Sequence, residues 1–480
     1  MRRRLWLVLA ALPLAGGDRF ETIRGLIRKQ LDETRTPSLA VAVAKGGKII
    51  WEEGFGWADR EKRLAASEHT MYSLASISKP VTATGLMVLV EAGKIELDRP
   101  VNDYLGDAKL RARIGDAAQA TVRRVANHTS GLPLHYHFFY ADEPYRRPPM
   151  DETIRRYGSL VSIPGEKYQY SNLGYGVLDY VIARVAGRSY RDFMREEVFT
   201  RLELRHMSVH LAPGLEAHSA RRYASDGQPL PHYDFDHEGG SAVYSSAHDL
   251  VRFAMFHLKT REPDQQTILT DPSIDEMQKP TAKINDYSGY GVGWNITETP
   301  GGYRLVSHSG GMGGVSTTLR LAPAEKLAVV VLANSGGSLP HRIADQILAL
   351  LLPKWKNPPS QPGPKGFNPP RELVGEWRGA IHTYKTELPL ELRISESGDV
   401  RARLDGQPES AVSGIAWRDG TLTGRMGGDV RTEDANRTSY AIALDLKLRG
   451  SLLNGAATAQ SRPASRPGNA LTNWVELKKQ

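Results

Sequence analysis

The chain has 480 residues, 40% hydrophobic and 24% charged, a globular balance that argues against a fibrous repeat or a disordered chain and gives material for two or three cores. Its formal charge is +8, but Lys, Arg, Asp and Glu are interspersed and the one basic run is Arg2–Arg4, so no stripe suited to nucleic acid is present and the excess reads as a solvated surface. Cysteine is absent, which excludes disulfides, thiolate metal sites, a cysteine nucleophile and a lipidated N-terminal cysteine.

The first residues, MRRRLWLVLAALPLAGGDRF, place three arginines before an apolar run from Leu5 to Ala15 and then small residues to Gly17. This layout predicts a signal peptide over residues 1–17, cleaved near Ala15–Gly17, and an exported protein, periplasmic or extracellular. The run is short for a transmembrane helix, and no later segment is long and apolar enough to span a bilayer.

DRFETIRGLIRKQLDE follows, with Phe20, Ile23, Ile27 and Leu31 at helical spacing; SLAVAVAK, the turn Gly46-Gly47 and KIIWEEGFGWA then read as a hairpin. From about residue 70 to 270 helical periodicity dominates. TATGLMVLVEAGK is a buried helix stopped by Gly93, and LGYGVLDYVIARVAG is another stopped by Gly187. Loops rich in Pro, His, Asp and Tyr around Arg146–Met150 and Ala212–Asp236 suit the walls of a cleft. Strand signal returns in YGVGWNIT, YRLVSHSG, VSTTLRLA and KLAVVVLAN, before a last helix in PHRIADQILALLL. The expected order is therefore an α+β domain over 18–353, with an antiparallel sheet flanked by helices and an all-helical subdomain inserted. A Pro/Gly-rich linker over 354–370 follows, and then a small antiparallel β-barrel domain over 371–480, read from LVGEWRGAI, LPLELRIS, DVRARL, YAIALDLKLRG and NWVELK.

Three short motifs could carry chemistry. In YSLASISKP, Ser76 falls near the start of a helix read from Ile77 to Val90, where free amides favour a developing negative charge, and Lys79 lies three residues on, on the same side. The same residues also suit a capped helix start with a solvated lysine. As a base, Lys79 would need desolvation or neighbouring cations, because an ordinary lysine is protonated at neutral pH. Tyr170-Ser171-Asn172 opens the second buried helix; Tyr170 could shuttle a proton if Lys79 pulled its phenol down, and Asn172 could hold Lys79 and a substrate carbonyl, though Ser171 or Asn172 as N-cap fits equally. The third, His308-Ser309-Gly310-Gly311, lies on a strand whose glycines permit close approach of a ligand backbone; its other reading is a plain glycine-rich hairpin. The pair His135 and His137 is the one tight histidine spacing, and no H-E-x-x-H occurs, so no metal site is expected.

With the order S-x-x-K, Y-x-N, H-S-G, and the phrases LDRPVNDYL, NHTSGLP, EGG with SSAHDL, and YGVGW between them, residues 20–352 resemble the serine beta-lactamase and penicillin-binding-protein superfamily in its class C beta-lactamase-like branch. That resemblance implies Ser76 as acylated nucleophile, Lys79 as its proton acceptor, Tyr170 as relay and activator of the deacylating water, and Asn172 as the residue orienting substrate and lysine. It also implies His308, Ser309, Gly310 and Gly311 as the substrate-docking wall, with the Ser76 and Gly311 amides as oxyanion hole. No cofactor and no metal would be needed. The substrate would be a small molecule or peptide, D-amino acids and cell-wall fragments included, and an oligomer is compatible. His308 stands where true beta-lactamases carry lysine, which favours an esterase, D-aminopeptidase or D-alanyl carboxypeptidase over an efficient beta-lactamase; the alternatives are a penicillin-binding or sensing protein with little turnover, or a weak beta-lactamase. The C-terminal barrel resembles the lipocalin-like appendages of exported serine peptidases in this branch.

Overall fold

In SLAVAVAK large and small apolar residues alternate, and that alternation decides how the first sheet is layered. The computed structural model describes residues 18–358 and 367–480; the expected signal peptide and part of the expected linker lie outside the described residues. Five helices and seven strands are needed below: α1 (Glu21–Thr34), α2 (Ser78–Glu91), α3 (Asn172–Ala186), α4 (Ala247–His257) and α5 (Leu339–Leu351); β1 (Ser38–Lys45), β2 (Lys48–Asp59), β3 (Arg304–Met312), β4 (Val315–Ala322), β5 (Leu327–Ala333), β6 (Leu452–Ser461) and β7 (Ala470–Lys479). Strand β1 lies between β2 and β5 in a nine-stranded antiparallel sheet, in which β5 continues to β4 and β3. Leu39, Val41 and Val43 join Val329 and Val331 in a layer closed by Ile23 and Ile27 of α1 and Ile343 and Ile347 of α5. Ala40, Ala42 and Ala44 face the other way, where their small side chains let α4 pack closely.

Helix α2 is apolar almost all round and is correspondingly buried, with solvent reaching only its last turns. It starts at Ser78, after a single 3-10 turn over Ala75–Ile77, so the expected start near Ile77 holds within a residue. Helix α3 begins at the Ser171 cap, whose Oγ accepts from the Gly174 amide at 3.0 Å, and ends on Gly187 at φ +67°. The helical middle of the chain also carries short strand pairs, among them Tyr72–Ser73 against Val243–Ser245, which tether the approach to α2. YGVGWNIT, read as one strand, is two, Ser288–Tyr290 and Asn295–Glu298, because Gly291 is pressed against the carbonyls of Met277 and Lys279 and breaks the ladder.

The C-terminal residues form a nine-stranded antiparallel sheet that curls into a nearly closed barrel. Four of its strands escaped the sequence reading: the two-residue Ser410–Ala411, Ser413–Arg418, Thr421–Met426 and β6, whose LLNGAATAQS is rich in Ala, Gly and Asn. The barrel docks on the segment from Leu134 to Lys167. Asp434 accepts from the hydroxyls of Tyr157 (2.8 Å) and Tyr384 (3.0 Å) and from Arg156 (3.0 Å); Asn469 accepts from the Phe138 amide (2.8 Å), and Tyr136 bridges to Ala470. The β6–β7 loop is thereby held against the first domain, with Pro467 over Gly313 and its carbonyl accepting from the Tyr140 hydroxyl at 2.8 Å.

Leu332 on β5 is fully buried in the inner layer beneath the helices. Leu332→Ala is expected to destabilise the chain by about 2–5 kcal/mol through lost burial and the cavity left behind, measured as a lower denaturant midpoint.

Candidate active site

Ser76 sits in the 3-10 turn that leads into α2, half-buried, on the border of two recesses. Its neighbour Ala75 is held at φ +47°, a left-handed conformation that costs a non-glycine residue on the order of 1–3 kcal/mol and persists only where surrounding structure enforces it. The enforcing element is β3: Gly310 lies directly on the Leu74 carbonyl and Ala75, and Thr317 Oγ1 on β4 donates to that same carbonyl at 3.0 Å. A Cβ at 310 would overlap the Leu74 oxygen, so only glycine lets the strand reach the turn.

Lys79, one turn beyond Ser76, is fully buried. Its Nζ lies 2.7 Å from Asn172 Oδ1, 2.9 Å from the Gly240 carbonyl and 3.2 Å from Ser76 Oγ. Burial holds its pKa well below the ordinary lysine range. The contacts fit a neutral amine: two N–H groups donate to Asn172 and Gly240, and the nitrogen lone pair is left for the Ser76 hydroxyl. A solvated Lys79, the other reading of the sequence, does not occur.

Tyr170 and Asn172 arrive from the start of α3. Asn172 is at the helix's first residue, while the capping is done by Ser171. The Tyr170 side chain borders the same cleft as Ser76, and its ring lies 4.8 Å from Lys79 Nζ. Burial pushes its phenol up rather than down. The expected lowering by Lys79 is absent because an uncharged amine has no field with which to stabilise a phenolate.

His308, Ser309, Gly310 and Gly311 lie along β3 beside Ser76, so the eight residues of the three motifs meet in one place. The His308 imidazole is buried; Nδ1 donates to the Ser309 carbonyl (2.8 Å) and Nε2 faces the Tyr290 hydroxyl (2.8 Å). Burial pushes its pKa down to about 3, so it is neutral at physiological pH, more completely than its sequence position suggests. Nothing protein-borne lies near the Cβ position of Gly311, which lines the cleft next to Ser76.

Of the two recesses, one of about 670 Å³ runs from Ser76 past His308, Ser309 and Thr318 to Arg320, which pairs with Asp345, and to Trp355. The other, about 400 Å³, runs past Asn172 and Gly311 over Tyr136, Phe138, Phe235 and Met312, and its far wall is the barrel's β6–β7 loop, including Arg462 and Pro467. Sequence reasoning missed Gly240 as a lysine acceptor, Tyr290 as the partner of His308, and the barrel loop. The first two lie within the quoted EGG and YGVGW phrases; the third carries no local signal. Of the histidine pair, His135 bonds Asp236 at 2.6 Å and His137 faces Arg437, and among the described residues no group of three or more His, Cys, Asp or Glu is arranged to hold a metal.

The family described as Beta-lactamase matches residues 23–353. The chain belongs to that family. Penicillin-binding protein 4* of Bacillus subtilis (strain 168) is 28% identical over 321 residues, covering 61% of this chain and 67% of that protein, and this chain spans about two-thirds of the length of the curated relatives it matches. An octameric penicillin-binding protein homologue from Pyrococcus abyssi superposes with a TM-score of 0.61 at 24% identity, over 90% of this chain and 97% of that one. A class C beta lactamase from Rhodobacter sphaeroides gives 0.58 at 23% identity, over 69% of this chain and 98% of that one. The likeness to these structures concerns the fold, and it agrees with membership of the serine beta-lactamase and penicillin-binding-protein superfamily, whose members are serine hydrolases.

The two glycines beside Ser76 separate structural from cleft roles. Gly310→Ala is expected to lower both thermal stability and kcat, by displacing the turn that carries Ser76. Gly311→Ala, made into open space, is expected to leave the melting temperature unchanged while raising KM for bulky substrates. Thermal melts and steady-state kinetics on a series of esters of increasing size check both.

Proposed function

We propose that the chain is a serine hydrolase that forms an acyl-enzyme on Ser76 and acts on ester or amide substrates, in the manner of an esterase, D-aminopeptidase or D-alanyl carboxypeptidase. The observation that carries this reading is the state of Lys79: buried, its two N–H groups occupied by Asn172 and Gly240, and its lone pair free for the Ser76 hydroxyl. A binding protein needs no such base.

Ser76 Oγ attacks the substrate carbonyl and gives its proton to Lys79, while the Ser76 and Gly311 amides take the oxyanion. Collapse of the tetrahedral intermediate expels the leaving group, protonated by the Tyr170 hydroxyl; the Lys79 ammonium, held beside the Tyr170 ring, returns a proton to the phenolate. The raised phenol pKa suits Tyr170 to this acid step. In the second half a water attacks the ester carbon and passes its proton to the Lys79 and Tyr170 pair, and Ser76 Oγ leaves with a proton from it, which restores the enzyme. Asn172 holds the lysine throughout.

A neutral, buried His308 provides no fixed cation for a substrate carboxylate, which supports esters and amides with no free carboxylate next to the scissile bond over beta-lactams, and so the esterase and D-aminopeptidase readings over the D-alanyl carboxypeptidase one. The second recess, with its aromatic floor and the exposed Arg462 at its rim, supports substrates that carry an apolar group on that side of the scissile bond.

A fluorophosphonate probe is expected to label the parent and not Ser76→Ala, with p-nitrophenyl ester turnover reduced about 10³-fold or more in that variant; labelling and turnover independent of Ser76 would refute the assignment. Because only the free amine accepts the serine proton, kcat/KM is expected to fall as pH drops through the depressed Lys79 pKa. It should show no alkaline loss from Tyr170 below about pH 10, since that phenol is held above its ordinary value. Lys79→Arg, which cannot deprotonate, is expected to be inactive across the whole profile.

A further inference from the structure

His128 belongs to the NHTSGLP phrase, which none of the steps above uses. It follows the short helix Val122–Ala126 and is held at φ +64°, a left-handed conformation uncommon outside glycine. The side chain is buried. Its backbone carbonyl accepts from the Gln169 amide at 2.7 Å, and its Nδ1 accepts from the Ser171 amide at 3.2 Å. The two bonds therefore grip the chain immediately before and immediately after Tyr170. The imidazole ring lies 4.4 Å from the Tyr170 ring, with Tyr290 at 4.7 Å, Tyr175 at 5.5 Å and Tyr168 at 5.7 Å around it.

Because Nδ1 is the acceptor, the ring proton resides on Nε2, which has no hydrogen-bond partner. Protonating Nδ1 would break the bond to Ser171 and place a buried cation among four tyrosines; burial pushes its pKa well down, in agreement with a neutral ring. A buried histidine in a strained backbone conformation, with one nitrogen committed to an amide beside the proton relay and the other unpaired, is expensive for a residue that only fills space.

We propose that His128 is a positioning residue for the reaction: by accepting from the Ser171 amide while its carbonyl accepts from Gln169, it fixes the peptide that carries Tyr170 and so holds the phenol in the cleft beside Ser76. This rests on the serine-hydrolase reading above. His128 touches no reacting atom and acts through Tyr170, and the decisive contact is the Nδ1 acceptor rather than the ring's bulk.

Two variants separate those contributions. His128→Phe keeps an aromatic ring but leaves the Ser171 amide unpaired; His128→Asn loses the ring but can place Oδ1 where Nδ1 was, and asparagine tolerates a positive φ well. Both are measured by steady-state kinetics on a p-nitrophenyl ester, by fluorophosphonate labelling and by thermal melting. His128→Phe is expected to lower kcat about 10–100-fold with KM changed less than about 3-fold, as expected when a catalytic group is misplaced by a fraction of an ångström. His128→Asn is expected to recover kcat to within about 5-fold of the parent. Unchanged kcat in His128→Phe, equal loss in both variants, or loss of folded protein in both would overturn the proposal, since each assigns His128 a packing role or none. A parent that shows no Ser76-dependent labelling overturns the hydrolase reading and this inference with it; a labelled parent with an indifferent His128 overturns this inference alone.

Discussion

The burial of one amine organises this site. A lysine sealed from water cannot keep its proton cheaply, so the pKa of Lys79, in the first turn of α2, is held well down by the apolar helix and its buried surroundings. Burial alone would leave its N–H groups unsatisfied; Asn172 from α3 and the Gly240 carbonyl from the loop before α4 remove that cost and, in doing so, aim the lone pair at Ser76. Three segments distant in sequence must therefore be in register within a few tenths of an ångström. The capped start of α3 and the tight packing of glycines 239 and 240 against their neighbours supply that register.

The sheet contributes through contact rather than through side-chain chemistry. Strand β3 can lie on the Ser76 turn because Gly310 has no Cβ, and that pressure sustains the left-handed Ala75 next to Ser76. The same strand turns Gly311 and Ser309 toward the cleft and buries His308 against Tyr290, which makes the third motif a shaped, uncharged wall. Strain at the turn, a buried base and an uncharged wall each lower stability or binding by themselves. They coexist because two packed layers on opposite faces of the first sheet supply the compensating burial.

The barrel bears on the site through one loop. Ion pairs and backbone contacts along Leu134–Lys167 dock it, with Asp434 gathering two tyrosines and an arginine, and the β6–β7 loop then closes the apolar recess on the Asn172 side of Ser76. The cleft is thus built by both domains: Ser76, Lys79, Tyr170 and Asn172 from the first, and the far wall of the apolar recess from the last hairpin of the barrel.

Much of this was legible in the sequence, and the limits have physical causes. The helices α1, α2, α3 and α5 and the strands from β1 to β5 follow from local periodicity and glycine stops, and three motifs in order sufficed to nominate eight residues that do meet. Strand β6 was missed because its Ala, Gly and Asn carry no strand propensity; it pairs because its neighbours leave it no other place. The sequence by itself determined which groups could react, since residue type and spacing set the chemistry available. Only the tertiary structure decided their protonation: Lys79 lowered, Tyr170 raised and His308 neutral are consequences of burial, which depends on what the rest of the chain places around each group.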